Sequence, residues 1–194
     1  MPSSKTSGQI LTIAQDILAT GGLGALSFDA IAQELGKSKQ AVLYWYPTKQ
    51  DLLAALFLPW LEAEAEAATA SVAGMSGRSE AIAAFVRALA GFHLADLDRF
   101  RMMYVVPQTI KSSGQAGQAT QLTQKVHPVT DRVYGALAAH LGDDPLAARR
   151  EAVAIHAAVL GVLLMFGLAD SLGDPLKHSQ EALIEALIVS FTGP

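Results

Sequence analysis

Residues 37–49 combine basic, amide and aromatic side chains at a spacing suited to contact with DNA. Lys39, Gln40 and Tyr44 fall toward one side of a predicted helix. Lysine and tyrosine can donate hydrogen bonds to phosphate oxygens, and a glutamine side chain can bond the edge of a base. We therefore predict that this helix presents a face that binds double-stranded DNA.

The flanking residues predict that this helix is the second one of a helix-turn-helix. The apolar residues of the preceding segment recur with helical spacing at Phe28, Ile31, Ala32 and Leu35. Ser27 can cap that first helix, and Gly36 follows its last apolar residue. Ser38 can cap the second helix, and Pro47 ends it because the residue before a proline avoids the α conformation. The pattern also occurs in helical hairpins that touch only their own core, so spacing alone leaves both readings open.

The first quarter of the chain resembles the N-terminal domain of the TetR family of transcriptional regulators. The resemblance covers residues 9–56 closely and the helical remainder loosely. Its matching positions are Ile10–Leu18, Gly21-Gly22, Leu26-Ser27-Phe28, Ile31-Ala32, Leu35-Gly36, Ser38-Lys39, Tyr46-Pro47-Thr48-Lys49 and Leu52-Leu53. The chain departs from the family at Leu43, where the family usually carries tyrosine, and its own tyrosine follows at Tyr44.

The resemblance implies an all-α protein with two domains. Residues 1–49 would form a three-helix DNA-binding domain with the helix-turn-helix, and residues 50–194 a larger helical domain for effector binding and dimerisation. Lys49 sits where the family has a lysine that faces phosphate. Together with the spacing argument, this predicts a DNA-binding set of Ser27, Lys37, Ser38, Lys39, Gln40, Leu43, Tyr44, Tyr46, Thr48 and Lys49.

Composition and charge are compatible with this interpretation. The 194 residues include no cysteine, which excludes disulfides, thiolate zinc sites and cysteine nucleophiles. Residues 1–50 hold four lysines against three acids, a charge of +1, so the net charge of −4 leaves −5 for the remainder. The first eight residues lack the apolar stretch of a secretory signal, and we expect a cytoplasmic protein.

Apolar periodicity predicts helices throughout the rest of the chain and no strand. A first helix is expected over 6–20, and later ones over about 48–72, 81–97, 98–110, 121–141, 145–171 and 175–192. Pro59 should kink the helix over 48–72 near Leu56. Residues 111–121 are polar and predict a mobile loop, while Asp-Pro pairs at 144–145 and 174–175 predict helix starts.

Two further patterns carry structural predictions. Glu62, Glu64 and Glu66 predict a solvated acidic face, because side chains two apart on a helix do not converge on a metal. Residues 152–169 carry no charge, apart from a possible one on His156, and are long enough for a membrane span. We favour a helix buried from two sides, by its own core and by a second subunit, with no membrane.

The chain lacks the motifs of common enzymes. There is no HExxH, GxSxG, P-loop or dinucleotide fingerprint, and the histidines suit surface or core positions better than ligand positions. We therefore predict no enzyme activity, no catalytic residue, no cofactor and no metal site.

Flexible and aromatic side chains in the middle helices could line an effector cavity, although for most of them ordinary core packing is the favoured explanation. The candidates are Trp60, Phe85, Leu89, Phe92, His93, Met102, Met103, Gln108, Tyr134, His156 and Met165. The resemblance favours a cavity, because C-terminal domains of the TetR family usually hold an inducer.

The combined prediction is a ligand-responsive DNA-binding transcriptional repressor. It would act as a homodimer on a palindromic operator and be released by a small apolar effector of unknown identity. We predict a dimer contact through Val153, Leu160, Gly161, Leu164, Leu183, Leu187 and Phe191. The alternative is a helical small-molecule-binding or interaction protein whose helix-turn-helix does not read DNA.

Overall fold

The computed structural model describes residues 4–105, 116–173 and 176–193. Over these residues the chain is helical and contains no strand, which confirms the all-α prediction. The helices are α1 (Ser4–Ala25), α2 (Phe28–Leu35), α3 (Lys39–Trp45), α4 (Lys49–Val72), α5 (Arg78–Leu94), α6 (Leu97–Phe100, continued by a π-helical turn over Arg101–Val105), α7 (Ala116–Ala138), α8 (Pro145–Leu172) and α9 (Gln180–Thr192).

Helix α1 extends beyond the predicted range of 6–20 and has a break at Gly22. Gly22 has φ 66° and ψ −172°, a conformation outside the helical region that costs glycine little because it has no Cβ. After the break, Leu26 and Ser27 connect α1 to α2. The glycine segment therefore ends the regular part of α1 before the helix-turn-helix begins.

Both helices of the helix-turn-helix carry the predicted caps. The Ser27 hydroxyl accepts from the Ala30 N–H at 3.1 Å, and the Ser38 hydroxyl accepts from the Ala41 N–H at 3.3 Å. Gly36 ends α2 with φ 65°, a left-handed conformation that glycine adopts readily. These caps fix where α2 ends and where α3 begins.

One apolar core holds α1, α2, α3 and the first part of α4 together. Its buried members are Ile10, Ala14, Leu18, Leu26, Ile31, Ala32, Val42, Tyr46, Leu52, Leu53 and Leu56. Val42 is the buried residue of α3, so α3 is fixed by one face while its opposite face stays exposed. This core is what positions the candidate DNA-binding side chains.

The chain forms two compact units. The first consists of residues 1–61 with 100–127, and the second of residues 62–99 with 128–194. Helix α4 contributes to both units, and the boundary follows Leu61, two residues after Pro59. Helix α4 remains helical through Pro59. The functional division predicted at residue 49 stays a prediction.

In the second unit, α5 packs against α8 and α9, and α8 packs against α9. The core contains Phe85 and Leu89 of α5 and Ile155 and Leu163 of α8, all at most 1% exposed. Two ion pairs join these helices at the surface, Arg78 with Glu151 and Arg87 with Glu185. Such exposed pairs each contribute only about 0–1 kcal/mol, so the apolar core dominates the stability of the unit.

Helix α8 begins at the predicted Asp-Pro junction and is long and apolar enough to cross a membrane. The Asp144 carboxylate accepts from the Leu146 and Ala147 N–H groups at 3.0 and 3.3 Å. The most apolar 18-residue window of α8 has a mean hydropathy of 2.3, and 39% of it is buried. A core helix of a soluble protein meets the same criteria, so length and composition are weak evidence for a span.

Two predicted boundaries are wrong. Helix α9 begins at Gln180, not at residue 175, because Ser179 supplies the cap by accepting from the Ala182 N–H at 3.1 Å. Helix α7 begins at Ala116, so residues 116–121 are helical and not loop. The two alanines and two glutamines of this segment favour helix, which offsets its loop-like composition. Three predicted features extend beyond the described residues: the end of the helix predicted over 98–110, the loop residues 111–115, and the Asp-Pro junction at 174–175.

The Asp144 cap provides a direct test of the second unit. Asp144→Ala should lower the free energy of unfolding by about 0.5–2 kcal/mol, because two backbone N–H groups lose their acceptor. Denaturant unfolding followed by circular dichroism measures this change. Asp143→Ala, at the exposed neighbouring residue, should leave the free energy of unfolding within experimental error. Equal losses in the two variants would contradict the assignment of the cap.

Candidate functional sites

Helix α3 presents its polar side chains to solvent. Lys39 and Gln40 are exposed, and 68% of Tyr44 is accessible. The same helix is anchored from behind by Val42, which is 0% exposed. An anchored helix with an exposed row of donors has the form needed to enter a major groove.

Lys39 already has an acidic neighbour in the free protein. Its Nζ lies 2.8 Å from Asp29 Oδ2 on α2, and both side chains are largely exposed. An exposed pair of this kind contributes about 0–1 kcal/mol, so a phosphate can replace the carboxylate at small cost. Asp29 was not among the predicted DNA-binding residues, although its position in the first turn of α2 is visible in the sequence.

Lys49 and Thr48 have structural bonds in the first unit. Lys49 Nζ donates to the Leu26 carbonyl at 2.9 Å and lies 3.5 Å from the Leu23 carbonyl oxygen, so it holds the turn between α1 and α2. The Thr48 hydroxyl lies 2.7 Å from Asp51 Oδ2 and accepts from the Asp51 N–H at the start of α4. Lysine has three donors, which leaves Lys49 able to reach a phosphate as well.

The two tyrosines near the end of α3 have different environments. Tyr46 is 7% exposed, and its hydroxyl lies 2.7 Å from the Ser7 hydroxyl on α1. Tyr44 is exposed and packs edge-on against Trp45, with 5.6 Å between ring centroids. Leu43 is partly buried and carries no donor. Tyr44 is therefore the aromatic residue of α3 whose hydroxyl is available to a phosphate.

The remaining predicted DNA-binding residues lie around the same surface. Lys37 is exposed in the turn between α2 and α3, while the hydroxyls of Ser27 and Ser38 cap the two helices. A cleft of about 250 Å³ is lined by Leu26, Ser27, Phe28, Asp29, Lys39, Lys49 and Leu52. Two lysines and the N-terminus of α2 border it, which makes this part of the surface attractive to an anion.

The second unit contains a buried polar cluster, formed by Glu64, His93 and His156. These side chains come from α4, α5 and α8 and are 1%, 0% and 6% exposed. Glu64 Oε1 lies 3.2 Å from Nε2 of His93 and 3.1 Å from Nε2 of His156. The prediction that Glu64 belongs to a solvated acidic face is wrong, because its side of α4 also carries the buried residues Ala65 and Ala68. Glu62 and Glu66 are exposed as predicted.

The pKa of Glu64 reflects this environment. Burial raises the pKa of the carboxyl, but the hydrogen bonds and charges of His156 and His93 lower it more, from 4.5 to about 2. Glu64 therefore stays ionised inside the unit. An ionised carboxylate in an apolar interior requires such donors, since its desolvation otherwise costs several kcal/mol.

Aromatic rings surround the cluster. The ring of Phe85 stands edge-on to His156 at 6.4 Å, and Tyr134 of α7 lies 5.7 Å from His156. Phe92 packs edge-on against the neighbouring His93 at 5.0 Å. Burial and the charge of Glu64 raise the pKa of the Tyr134 hydroxyl, against the opposing charge of Arg149. The Tyr134 hydroxyl thus stays neutral at physiological pH.

The predicted effector residues are only partly brought together. His93 and His156 belong to the cluster, and Phe85, Phe92 and Tyr134 lie beside its histidines. Leu89 lies in the core on α5. The others lie elsewhere. Met165 is 53% exposed on α8, Met102 packs against the core of the first unit, Met103 is buried there, Trp60 packs on Phe57, and Gln108 is outside the described residues.

The cluster does not have the form of a metal site. Across residues 4–105, 116–173 and 176–193, no group of three or more histidine and acidic side chains is arranged to hold a metal ion. Glu64 was missed as a functional candidate, and the available signal was the presence of His93 and His156 within apolar helices.

The outer face of α8 is mainly apolar, with Arg150 as an exposed charged residue near its start. Large apolar side chains at least 40% exposed recur there at Leu146, Val153, Leu164, Met165, Leu168 and Leu172. Gly161 is exposed on the same face, and Leu160 is partly buried. On α9, Leu183, Leu187 and Phe191 are partly buried, while Val189 is 53% exposed.

The geometry defines a helical protein with a helix-turn-helix unit and a second helical unit. In agreement, residues 10–56 match the family described as bacterial regulatory proteins, tetR family. The resemblance to the TetR family is thus confirmed, and the chain has the fold of a TetR-family transcription regulator.

Solved structures show the same fold over the whole length. The putative regulatory protein SCO4313 is 21% identical, with a TM-score of 0.74 and 100% of both chains covered. FadR from Bacillus subtilis, in complex with stearoyl-CoA, is 17% identical with a TM-score of 0.68, over 96% of this chain and 98% of that one. A putative tetR family regulator from Shewanella sp. PV-4 is 17% identical with a TM-score of 0.63, over 96% and 95%. No curated protein matches the chain in sequence.

The low pKa of Glu64 makes the stability of the protein depend on acid pH. The contribution of the ionised carboxylate is fully present above pH 4.5 and is lost as pH falls toward about 2. Glu64→Gln should therefore flatten the fall in the free energy of unfolding over this range. Denaturant titrations at several pH values measure it, and Glu62→Gln should keep the slope of the unsubstituted protein.

Proposed function

We propose that this protein is a sequence-specific DNA-binding repressor that acts as a homodimer and is released from its operator by a small apolar effector. The observation that carries the proposal is α3 itself. Its polar face is exposed at Lys39, Gln40 and Tyr44, while Val42 fixes the helix to the core. The fold supports the broad class of DNA-binding regulator. The operator, the dimer, the effector and the repressor role belong to this proposal.

The division of roles on α3 follows from the chemistry of its side chains. Gln40 can read a base edge through two hydrogen bonds, whereas Lys37, Lys39 and Tyr44 suit phosphate oxygens. Lys49, at the start of α4, would contribute a further phosphate contact beside α3. Its Nζ also donates to the Leu26 carbonyl in the turn between α1 and α2. The alternative, a small-molecule-binding protein with a non-reading helix-turn-helix, does not account for so many exposed donors on an anchored helix.

A homodimer is supported by the exposed apolar face of α8. Val153, Leu164 and Leu168 are 40–59% exposed although they are large and apolar. A second copy in isologous contact would cover this face on both subunits at once. Covering α8 in this way requires no membrane and is compatible with a cytoplasmic protein.

The effector proposal draws on the second unit and on one structural neighbour. FadR from Bacillus subtilis was solved with stearoyl-CoA, so a long-chain acyl thioester is the first effector to test here. The aromatic rings around Glu64 offer apolar surface next to polar groups, which is the chemistry of most ligand sites.

The proposed coupling runs through α4, which contributes to both compact units. Two recognition helices of a dimer must lie about 34–36 Å apart to enter successive major grooves. An effector that prefers a conformation with another spacing would lower operator affinity by its differential affinity, typically about 1–3 kcal/mol. Operator DNA would then weaken effector binding by the same factor, which calorimetry with and without operator can measure.

The decisive experiment is selection of bound DNA from a random pool by the purified protein at a stated salt concentration. A palindromic consensus is expected, because a two-fold dimer presents two copies of α3. Recovery of unselected sequences only, with no consensus at any salt concentration, would favour the non-reading alternative.

Gln40→Ala tests base reading on the selected operator. It should cost about 1–3 kcal/mol of binding free energy and relax the preference at one base pair in each half-site. Lys37→Ala is the matched comparison, since it removes an exposed charge from the same surface. It should weaken all sequences alike and reduce the salt slope by about 1. The opposite pattern in the two variants would reverse the assignment of reader and phosphate contact.

Leu164→Glu tests the dimer. Leu164 is 52% exposed, so a glutamate there should leave the subunit core intact but oppose pairing of two apolar faces. Leu187 is a poorer choice, because it lines a space beside Val86 and Val159 within its own subunit. Sedimentation at micromolar concentration should show a dimer for the unsubstituted chain and for Ala139→Glu, and a monomer for Leu164→Glu. A monomeric unsubstituted chain would refute the dimer.

A further inference from the structure

Asp29 forms a bond that the capping of its own helix does not require. It lies in the first turn of α2, where the helix dipole favours an acidic side chain. The cap of α2 is already supplied by Ser27, whose hydroxyl accepts from the Ala30 N–H. The Asp29 carboxylate instead accepts from Nζ of Lys39 on α3 at 2.8 Å, ten residues further along the chain. Asp29 thus joins the two helices of the helix-turn-helix.

The pair borders the cleft of about 250 Å³ in the first unit. The charged and polar residues that line this cleft are Ser27, Asp29, Lys39 and Lys49. Lys49 donates to a backbone carbonyl, whereas the partner of Lys39 is a carboxylate. Two ammonium groups less one carboxylate give the cleft a charge of +1. An anion that approaches either lysine therefore also approaches the negative charge of Asp29.

Both members of the pair are accessible to an incoming phosphate. The side chain of Asp29 is 71% exposed, and that of Lys39 is 49% exposed. Water and salt screen the attraction between such exposed charges, so the pair opens readily. A phosphate of a bound duplex would have to displace the carboxylate or share the ammonium group with it. The carboxylate and the phosphate are therefore competitors for Lys39.

Glu34 provides a comparison on the same helix. Glu34 and Asp29 are both exposed, but five residues separate them, which corresponds to about 140° around a helix. Glu34 lines a different groove, together with Gln9 and Thr12 of α1. It thus carries the same charge as Asp29 but borders another part of the surface.

We infer that Asp29 limits the affinity of the helix-turn-helix for the DNA backbone, because its carboxylate competes with phosphate for Lys39. The inference rests on the proposed function, since it takes the exposed face of α3 as the DNA-binding surface. Phosphate contacts carry no sequence information. Asp29 therefore lowers the affinity for every sequence alike and leaves base preference to Gln40.

The small charge of the DNA-binding unit gives one carboxylate a large share of the electrostatic attraction. Residues 1–50 hold four lysines and three acids, so neutralising Asp29 would raise their charge from +1 to +2. Non-specific DNA binding is essentially electrostatic. Affinity differences arise mostly from dissociation rates, so Asp29 would shorten the time that the protein spends on each unselected sequence.

The primary test measures affinity for a random-sequence duplex and for the selected operator at salt concentrations from about 0.05 to 0.3 M. Asp29→Asn should raise both affinities by about three- to fivefold at the lowest salt, the upper range for an exposed ion pair. It should also steepen the salt slope by about 1, the value for one more neutralised phosphate. Glu34→Gln removes the same charge from the other flank of α2 and should change the affinities by less than about twofold.

A double-mutant cycle separates competition for Lys39 from general repulsion of DNA. In the Lys39→Gln background the carboxylate has no ammonium group to occupy, so adding Asp29→Asn should change the affinity by less than about twofold. A gain of about three- to fivefold in that background as well would overturn the inference. Asp29→Glu keeps a carboxylate at the same position and should stay within about twofold of the unsubstituted protein.

Circular dichroism of each variant checks that α2 is intact, because Asp29 also interacts favourably with the helix dipole. Asp29→Ser is neutral as well and supplies the same test if Asp29→Asn does not fold.

The outcomes distinguish the failure of this inference from that of the proposed function. If the protein binds DNA without a consensus and Asp29→Asn strengthens that binding only when Lys39 is present, the inference is supported and the sequence-specific function fails. If an operator is selected but Asp29→Asn behaves like Glu34→Gln, the inference alone is overturned. A changed base preference in Asp29→Asn would also overturn it, because Asp29 would then be a base reader. Absence of DNA binding by both the unsubstituted protein and Asp29→Asn would refute the inference and the proposed function together.

Discussion

The interaction on which much of the second unit depends is the pair of hydrogen bonds that two imidazoles donate to Glu64. A carboxylate at 1% exposure loses nearly all of its hydration, and histidines from two other helices replace it. Removal of either partner would leave a buried charge poorly compensated, which typically costs about 3–5 kcal/mol. The cluster therefore restricts α4, α5 and α8 to arrangements in which three side chains meet, whereas apolar packing alone would tolerate small displacements.

The first unit differs from the second, because short-range sequence signals determine where its helices begin and end. Serine caps begin α2 and α3, a left-handed glycine ends α2, and one apolar face of each helix enters a common core. These features are encoded within a few residues of where they act, so the helix-turn-helix could be predicted from the sequence. The exception is Tyr46, whose hydroxyl meets Ser7, a residue 39 positions away. A sequence pattern cannot show such a contact.

The same distinction explains what the sequence could not predict in the second unit. Glu64 looks like one of three solvated acids, and only the packing of α4 against distant helices separates it from Glu62 and Glu66. The predicted start of α9 is wrong because Pro175 and Ser179, four residues later, both suit a helix start, and the capping bond of the serine determines where the helix begins. The sequence identifies candidate effector residues by residue type alone. The predicted set therefore contains residues next to Glu64, but also residues on the surface and residues of the first unit.

The apolar outer face of α8 also has a consequence for how the protein behaves during synthesis. Leu164, Leu168 and Leu172 are each more than half accessible, and in the proposed homodimer a newly made subunit would expose them until its partner covers them. Large exposed apolar surfaces promote aggregation and recognition by chaperones and proteases. The lifetime of an isolated chain should thus depend on its own concentration. At low expression subunits would be cleared before they meet, so the amount of active protein would rise more steeply than the rate of translation.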